Sequence, residues 1–109
     1  MQTATAKTDD PVLQRLRGNL DVTFGDLLER VILYGSRARG DADAHPDYDV
    51  AVFLRDMRDR WDDLRLLATI ETQMFDDAGA LVHAIPLRAG TWAERTTLMG
   101  AIRRDGIDL

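Results

Sequence analysis

The sequence predicts an α/β (α+β) fold in which a small mixed β-sheet is backed by helices. The chain has 109 residues, of which 45% are apolar and 30% are charged, as in a globular domain with a buried core. Short apolar runs alternate with longer segments whose apolar residues recur at helical spacing. The resulting order is helix, strand, loop, strand, helix, strand, helix, which is typical of a layered structure.

The N-terminal part combines a polar segment with a helix start. Residues 1–9 are polar and are predicted to be disordered, so that a single domain spans residues 10–109. Asp10 is a good N-cap, and Pro11 fits the first position of the first helix. The pattern of residues 21–29 fits either a second helical piece or a loop.

Three apolar runs predict the strands. The run 31–34 is short and suits a buried strand. The run 47–54 is the most strand-like, because its last five residues are apolar and mostly β-branched or aromatic. The third strand is predicted over 81–87, with Pro86 and Gly90 expected to close it.

Two further helices follow the second and third strands. Residues 59–78 predict an amphipathic helix with aspartates in its first turn, where they favour the helix dipole. Its apolar stripe consists of Trp61, Leu64, Leu67, Ile70, Met74 and Ala78. Thr91 and Glu94 have capping-box spacing and predict the start of the last helix, and Trp61 and Trp92 are interpreted as core anchors. The expected inner face of the last helix is Leu98, Met99 and Ile102.

Charge and composition exclude several classes of protein. Fourteen basic residues against nineteen acidic ones give a net charge of -5, which disfavours a nucleic-acid partner. The absence of cysteine excludes disulfides, thiol catalysis and thiolate metal sites. No apolar run reaches membrane-spanning length, so we expect a cytoplasmic protein without a membrane partner.

A Gly-Ser turn is the first candidate for a functional site. Gly35 and Ser36 follow a predicted strand and lead into Arg37 and Arg39. A strand that ends in this way presents backbone N–H groups and a hydroxyl at one point, where phosphate can bind. The alternative is a plain turn with solvated arginines.

A pair of carboxylates is the second candidate. Asp47 and Asp49 stand at the head of the second strand, on one face and roughly 7 Å apart. Such a pair can hold hard divalent cations that carry a triphosphate. The alternative is that the two aspartates cap or solvate the end of the strand.

Together the two candidates form the pattern G-S-x10-D-x-D. With the flanking residues 31–41, this pattern resembles the signature of minimal nucleotidyltransferases of the polymerase-β-like superfamily. The resemblance implies a palm-like domain that uses Mg²⁺ and a nucleoside triphosphate such as ATP. It also implies that Gly35 and Ser36 cradle phosphates, with Arg37 and Arg39 beside them. By the same resemblance, Asp47 and Asp49 bind the metal while a nucleoside monophosphate is transferred and pyrophosphate leaves.

One position departs from the family pattern. The superfamily usually supplies a third carboxylate from a later strand, and the matching residue here is His83. His83 could act as the catalytic base, or it could be a histidine bonded within a half-buried strand. The departure concerns catalysis rather than nucleotide binding.

The resemblance also implies a partner. Members of this family pair with small helical HEPN-domain proteins as antitoxins and attach AMP to them. The alternative is a catalytically weak or inactive subunit that binds the HEPN-type partner, and an antibiotic-modifying transferase is a third interpretation. The acceptor, the preferred base and any homo-oligomer are left open by the sequence.

Overall fold

The structure is a computed structural model that describes residues 10–40, 47–57 and 59–109. Within these ranges helices and strands follow one another in a largely alternating order. The helices are α1 (Pro11–Phe24), α2 (Ser36–Arg39), α3 (Arg60–Ala78) and α4 (Thr97–Asp105). The strands are β1 (Leu28–Tyr34), β2 (Tyr48–Leu54), β3 (Val82–Arg88) and β4 (Ile107–Asp108). The predicted disorder of residues 1–9 lies outside the described residues.

The strands form one mixed sheet, which confirms the predicted fold class. Its order is β3-β2-β1-β4, with β1 antiparallel to β2 and to β4, and β2 parallel to β3. The parallel pair needs a crossover, and α3 supplies it. Strand β4 was not predicted, because two residues are too short to give a pattern. None of the described helices combines the length and apolar character needed to cross a bilayer.

The sheet separates two apolar clusters because alternate residues of each strand point to opposite faces. One face, which carries Val50 and Val52, packs against α1 and α3 and forms the larger cluster. The other face, which carries Ala51 and Phe53, packs against α4. Helices α1 and α3 contribute Leu16, Leu20, Leu67, Ile70 and Met74 to the larger cluster. Since consecutive residues of β2 serve different faces, the register of this strand decides what each face carries.

Three predicted boundaries were wrong. Strand β1 begins at Leu28, within the segment 21–29 that was predicted as a helical piece or a loop, and before the predicted strand 31–34. Pro86 lies inside β3 opposite Val52, and it is tolerated because β3 is an edge strand of the sheet. The last helix begins at Thr97, where the Thr96 hydroxyl accepts a hydrogen bond from the Met99 backbone N–H. Thr91 instead begins a short 3₁₀ turn, and its hydroxyl donates to the carbonyl of Arg88 at 2.7 Å. The capping-box spacing therefore occurred by chance.

The predicted apolar faces were correct in the middle of the helices and wrong at their ends. Trp61 is 75% exposed and Leu98 is 38% exposed, so neither is a core anchor. Both lie in first helical turns, whereas the sheet contacts begin further along each helix. Trp92 does contact the core, with its ring edge-on to Phe53 at 6.1 Å between centroids.

One aspartate of the α3 N-terminus opposes folding. The Asp63 Oδ2 atom is buried and has no hydrogen-bond partner among the described residues. Burial raises the pKa of Asp63, and the neighbouring carboxylates of Asp62 and Asp59 raise it further. A raised pKa in the folded state means that the ionised carboxylate destabilises the fold at neutral pH.

We therefore expect Asp63→Asn to raise the free energy of unfolding at pH 7 by about 0.5–1 kcal/mol. The gain should vanish as pH falls through the raised pKa towards 3.8, because both states are then protonated. Chemical denaturation at several pH values measures this difference. Glu94→Gln is the control, because Glu94 is exposed and is not among the carboxylates that raise the pKa of Asp63. An equal gain in both variants, or a pH-independent gain, would contradict the prediction.

Candidate functional site

The pairing of β1 with β2 brings the two candidate motifs together. In this antiparallel pair Tyr34 lies opposite Asp49. The turn that follows β1 and the residues that begin β2 therefore meet at the same end of the sheet. The Gly35-Ser36 turn therefore lies beside Asp49, and Asp47 lies just before β2 at the same end of the sheet.

Gly35 is held against Asp49 so closely that a side chain would not fit. Its φ is +77°, and a Cβ atom built there would lie 2.7 Å from Asp49 Oδ2. Both the left-handed backbone and the close approach favour glycine. The turn and the carboxylate are thus in direct van der Waals contact.

The turn continues into the short helix α2. Ser36 is 6% exposed and begins this helix, which ends at Gly40 with a left-handed φ of 88°. The Arg39 backbone N–H donates to the carbonyl of Gly35 at 3.2 Å. The turn is therefore a compact strand-to-helix connection that starts at the sheet edge.

The two arginines of α2 contact different layers of the protein. The Arg37 guanidinium lies over the Tyr48 ring, 4.0 Å from its centroid, and Tyr48 belongs to the cluster under α1 and α3. Arg39 Nη1 lies 3.3 Å from Asp105 Oδ2 at the end of α4. Phosphate binding by either arginine stays a prediction, and it would act alongside these contacts.

His83 lies beside both predicted metal ligands. It stands opposite Asp49 in the parallel pair of β2 and β3, and its Nε2 lies 2.9 Å from Asp47 Oδ2. Because an ionised carboxylate only accepts hydrogen bonds, this contact requires a proton on His83 Nε2, and in a neutral ring Nδ1 is then the acceptor. The His83 side chain is 62% exposed, so a ligand can reach it.

The donor set suits Mg²⁺ together with a triphosphate. No group of three or more acidic or histidine side chains that could hold a metal ion occurs within the described ranges. Mg²⁺ is commonly held by one or two carboxylates and completed by substrate phosphates and water. Asp47 and Asp49 provide this partial set next to the Gly35-Ser36 turn.

Two residues near the site were not singled out from the sequence for the roles they have here. Tyr34 faces Asp49 across the pair of strands; burial raises the pKa of its hydroxyl, and the charge of Asp49 adds to the rise. The sequence signal that could have identified Tyr34 is its position one residue before Gly35. The second residue is Glu71, whose Oε2 accepts a hydrogen bond from the Ala84 backbone N–H at 2.8 Å. Glu71 thus binds to β3 and does not replace the missing third carboxylate.

A family model described as polymerase beta, nucleotidyltransferase matches residues 25–97. A candidate protein adenylyltransferase of Methanocaldococcus jannaschii is 37% identical over 46 residues, which are 42% of this chain. The match spans 46% of that relative, less than half of its length.

Several solved structures share the fold. A mutant of the toxin–antitoxin pair MntA–HpeT superposes with a TM-score of 0.62 at 20% identity, over 87% of this chain and 68% of that one. A candidate nucleotidyltransferase from Sulfolobus solfataricus gives 0.60 at 20% identity, over 89% and 75%. A toxin–antitoxin complex with AMP-PNP gives 0.58 at 18% identity, over 86% and 69%. At these identities the likeness establishes the fold.

Proposed function

The chain belongs to the polymerase beta nucleotidyltransferase family, and on that premise we propose that it transfers AMP from ATP to an acceptor protein in an Mg²⁺-dependent reaction. The observation that carries the proposal is the contact between the Gly35-Ser36 turn and Asp49, at the sheet end where Asp47 also lies. The segment matched by the family model contains all four residues.

Each group of residues has a separate task in this proposal. The Gly35-Ser36 turn receives the β- and γ-phosphates of ATP. Asp47 and Asp49 would hold Mg²⁺, which when bound neutralises the charge of the triphosphate and of the departing pyrophosphate. Arg39 and Arg37 add positive charge at the turn and favour the bound polyanion.

His83 is proposed as the proton acceptor. Its Nε2 donates to Asp47, so the ring is oriented by a carboxylate while Nδ1 can take a proton. An acceptor hydroxyl oxygen would bond to the α-phosphorus as the bond to pyrophosphate breaks, and the hydroxyl proton would pass to His83 Nδ1. The hydrogen bond also stabilises the imidazolium that forms.

The acceptor is proposed to be a HEPN-type partner protein, with this chain as the antitoxin. The description of the Methanocaldococcus relative as a protein adenylyltransferase supports a protein acceptor. The toxin–antitoxin neighbours support a protein pair, and one of them was solved with an ATP analogue. The net charge of -5 also disfavours a nucleic-acid acceptor. The cytoplasmic location predicted from the sequence belongs to this proposal.

A second candidate is a binding subunit that holds its partner without modifying it. The observation in its favour is that a histidine, rather than a third acid, lies opposite Asp49. A neutral imidazole adds no negative charge to the site, so the metal would be held more weakly.

Intact-mass measurement separates the two candidates. The chain is incubated with ATP, Mg²⁺ and the product of the adjacent gene, and a parallel reaction contains EDTA. We expect the partner to gain the mass of one or more AMP groups only when Mg²⁺ is present. ATP binding without any gain in mass would favour the binding subunit, and the absence of both would refute the nucleotide site.

The salt dependence of ATP affinity tests the arginines. A cation that contacts phosphate makes binding sensitive to ionic strength, so Arg39→Gln should weaken ATP binding and flatten its dependence on salt. Arg37→Gln should do the same. Arg65→Gln, on the exposed side of α3, is the control and should leave both quantities unchanged. Parallel salt curves for the parent, Arg39→Gln and Arg37→Gln would remove both arginines from the phosphate site.

A further inference from the structure

Tyr48 stands between the two carboxylates in sequence but points to the opposite face of the sheet. It is 6% exposed and packs in the cluster under α1 and α3. Its backbone N–H donates to the carbonyl of Leu81 at 2.8 Å, which fixes the start of β2 against the strand that carries His83. Tyr48 therefore fixes which way its two neighbours, Asp47 and Asp49, point.

The ring of Tyr48 also supports the phosphate turn. Helix α2 has four residues, and a helix of that length is not stable by itself because nucleation is costly. Its position must come from tertiary contacts, and two of them come from consecutive residues of β2. Asp49 contacts Gly35 on one side, and the Tyr48 ring lies 4.0 Å from the Arg37 guanidinium on the other.

The hydroxyl of Tyr48 extends the same connection to α1. It donates to Asp10 Oδ2 at 3.0 Å, while Asp10 Oδ1 accepts from the Val12 backbone N–H at 2.9 Å as the helix N-cap. Burial raises the pKa of Tyr48, and the hydrogen bond to Asp10 raises it further, so the hydroxyl stays protonated and donating at neutral pH. The buried Tyr48 side chain of β2 therefore contacts both the N-cap residue of α1 and Arg37 of α2.

We propose that Tyr48 is a positioning residue for the nucleotide: it holds the turn 35–39 through Arg37 at the place where the turn faces Asp49. The inference rests on the proposed function, since it assumes that this turn receives the triphosphate. In this role Tyr48 affects nucleotide affinity through Arg37 and not through the general stability of the core.

A double-mutant cycle tests whether Tyr48 acts through Arg37. Affinity for ATP in the presence of Mg²⁺ is measured for the parent, Tyr48→Leu, Arg37→Gln and the double variant. We expect Tyr48→Leu to weaken ATP binding by about tenfold in the parent and by less than about twofold in the Arg37→Gln background. Tyr48→Phe keeps the ring over Arg37 and should stay within about threefold of the parent.

Val50→Ala is the matched control for lost core packing. Val50 is fully buried on the same face of the same strand, so its truncation should lower the melting temperature while ATP affinity stays within about twofold.

Additive effects of Tyr48→Leu and Arg37→Gln, or an equal loss of affinity in Val50→Ala, would overturn the inference. A parent that does not bind ATP would instead refute the proposed function, so the two failures are distinguishable. If Tyr48→Leu does not fold, Tyr48→Met takes its place in the cycle: a loss of ATP affinity that disappears in the Arg37→Gln background supports the inference, and a loss that persists there overturns it.

Discussion

Replacing Asp49 by asparagine should reduce AMP transfer by about 10³-fold, because the variant loses a negative charge where the proposed function places the metal and the triphosphate. Asparagine has nearly the same shape as aspartate, so the contact with Gly35 and the pairing with Tyr34 and His83 should persist. The Mg²⁺-dependent part of ATP binding should be lost as well. Calorimetric titration with ATP, with and without Mg²⁺, measures the binding, and intact mass of the partner measures the transfer.

Asp76→Asn is the control for this variant. Asp76 is an exposed carboxylate of α3, and its removal changes the net charge by the same amount. We expect its binding and transfer to equal those of the parent. If Asp49→Asn also binds Mg²⁺ and ATP like the parent, Asp49 is not a metal ligand.

Replacing His83 by alanine should lower the transfer rate at neutral pH by about 10²-fold, the loss typical of a missing general base. The alanine variant also frees Asp47 from its hydrogen bond with Nε2, and this change should not weaken ATP binding. The prediction is therefore a fall in kcat with little change in the KM for ATP. A His83→Ala variant that transfers AMP as fast as the parent would show that His83 is not the base.

His83→Asp is the complementary variant. It places a third carboxylate opposite Asp49, on the same edge as Asp47, and should tighten Mg²⁺ binding by about tenfold. It should also raise the transfer rate above that of His83→Ala. If neither the parent nor His83→Asp modifies the partner while both bind ATP, the binding-subunit function is correct.

The site motif and most of the helices and strands could be predicted from the sequence. The motif lies in one short stretch of sequence, from Val31 to Asp49. Composition and spacing there predict a buried strand, a glycine turn and a second strand. Antiparallel pairing of two neighbouring strands then brings the ends of the motif together, as it does here with Tyr34 opposite Asp49. The middle of α3 was also predictable, because helical periodicity identifies the residues that face a sheet.

The remaining features could not be predicted, because each depends on contacts between residues that are distant in sequence. Trp61 has the spacing of a core residue, yet it is 75% exposed, and the buried residues of α3 begin only at Leu67. The two-residue strand β4 exists because Gly106 lets the chain pass against Ile32, where a Cβ would lie 2.6 Å from Cγ2. The stack of Arg37 on Tyr48 and the bond from His83 to Asp47 likewise join different elements. The periodicity of a sequence shows which face of a helix or strand is apolar. Which side chains of other elements contact that face depends on how the elements pack together.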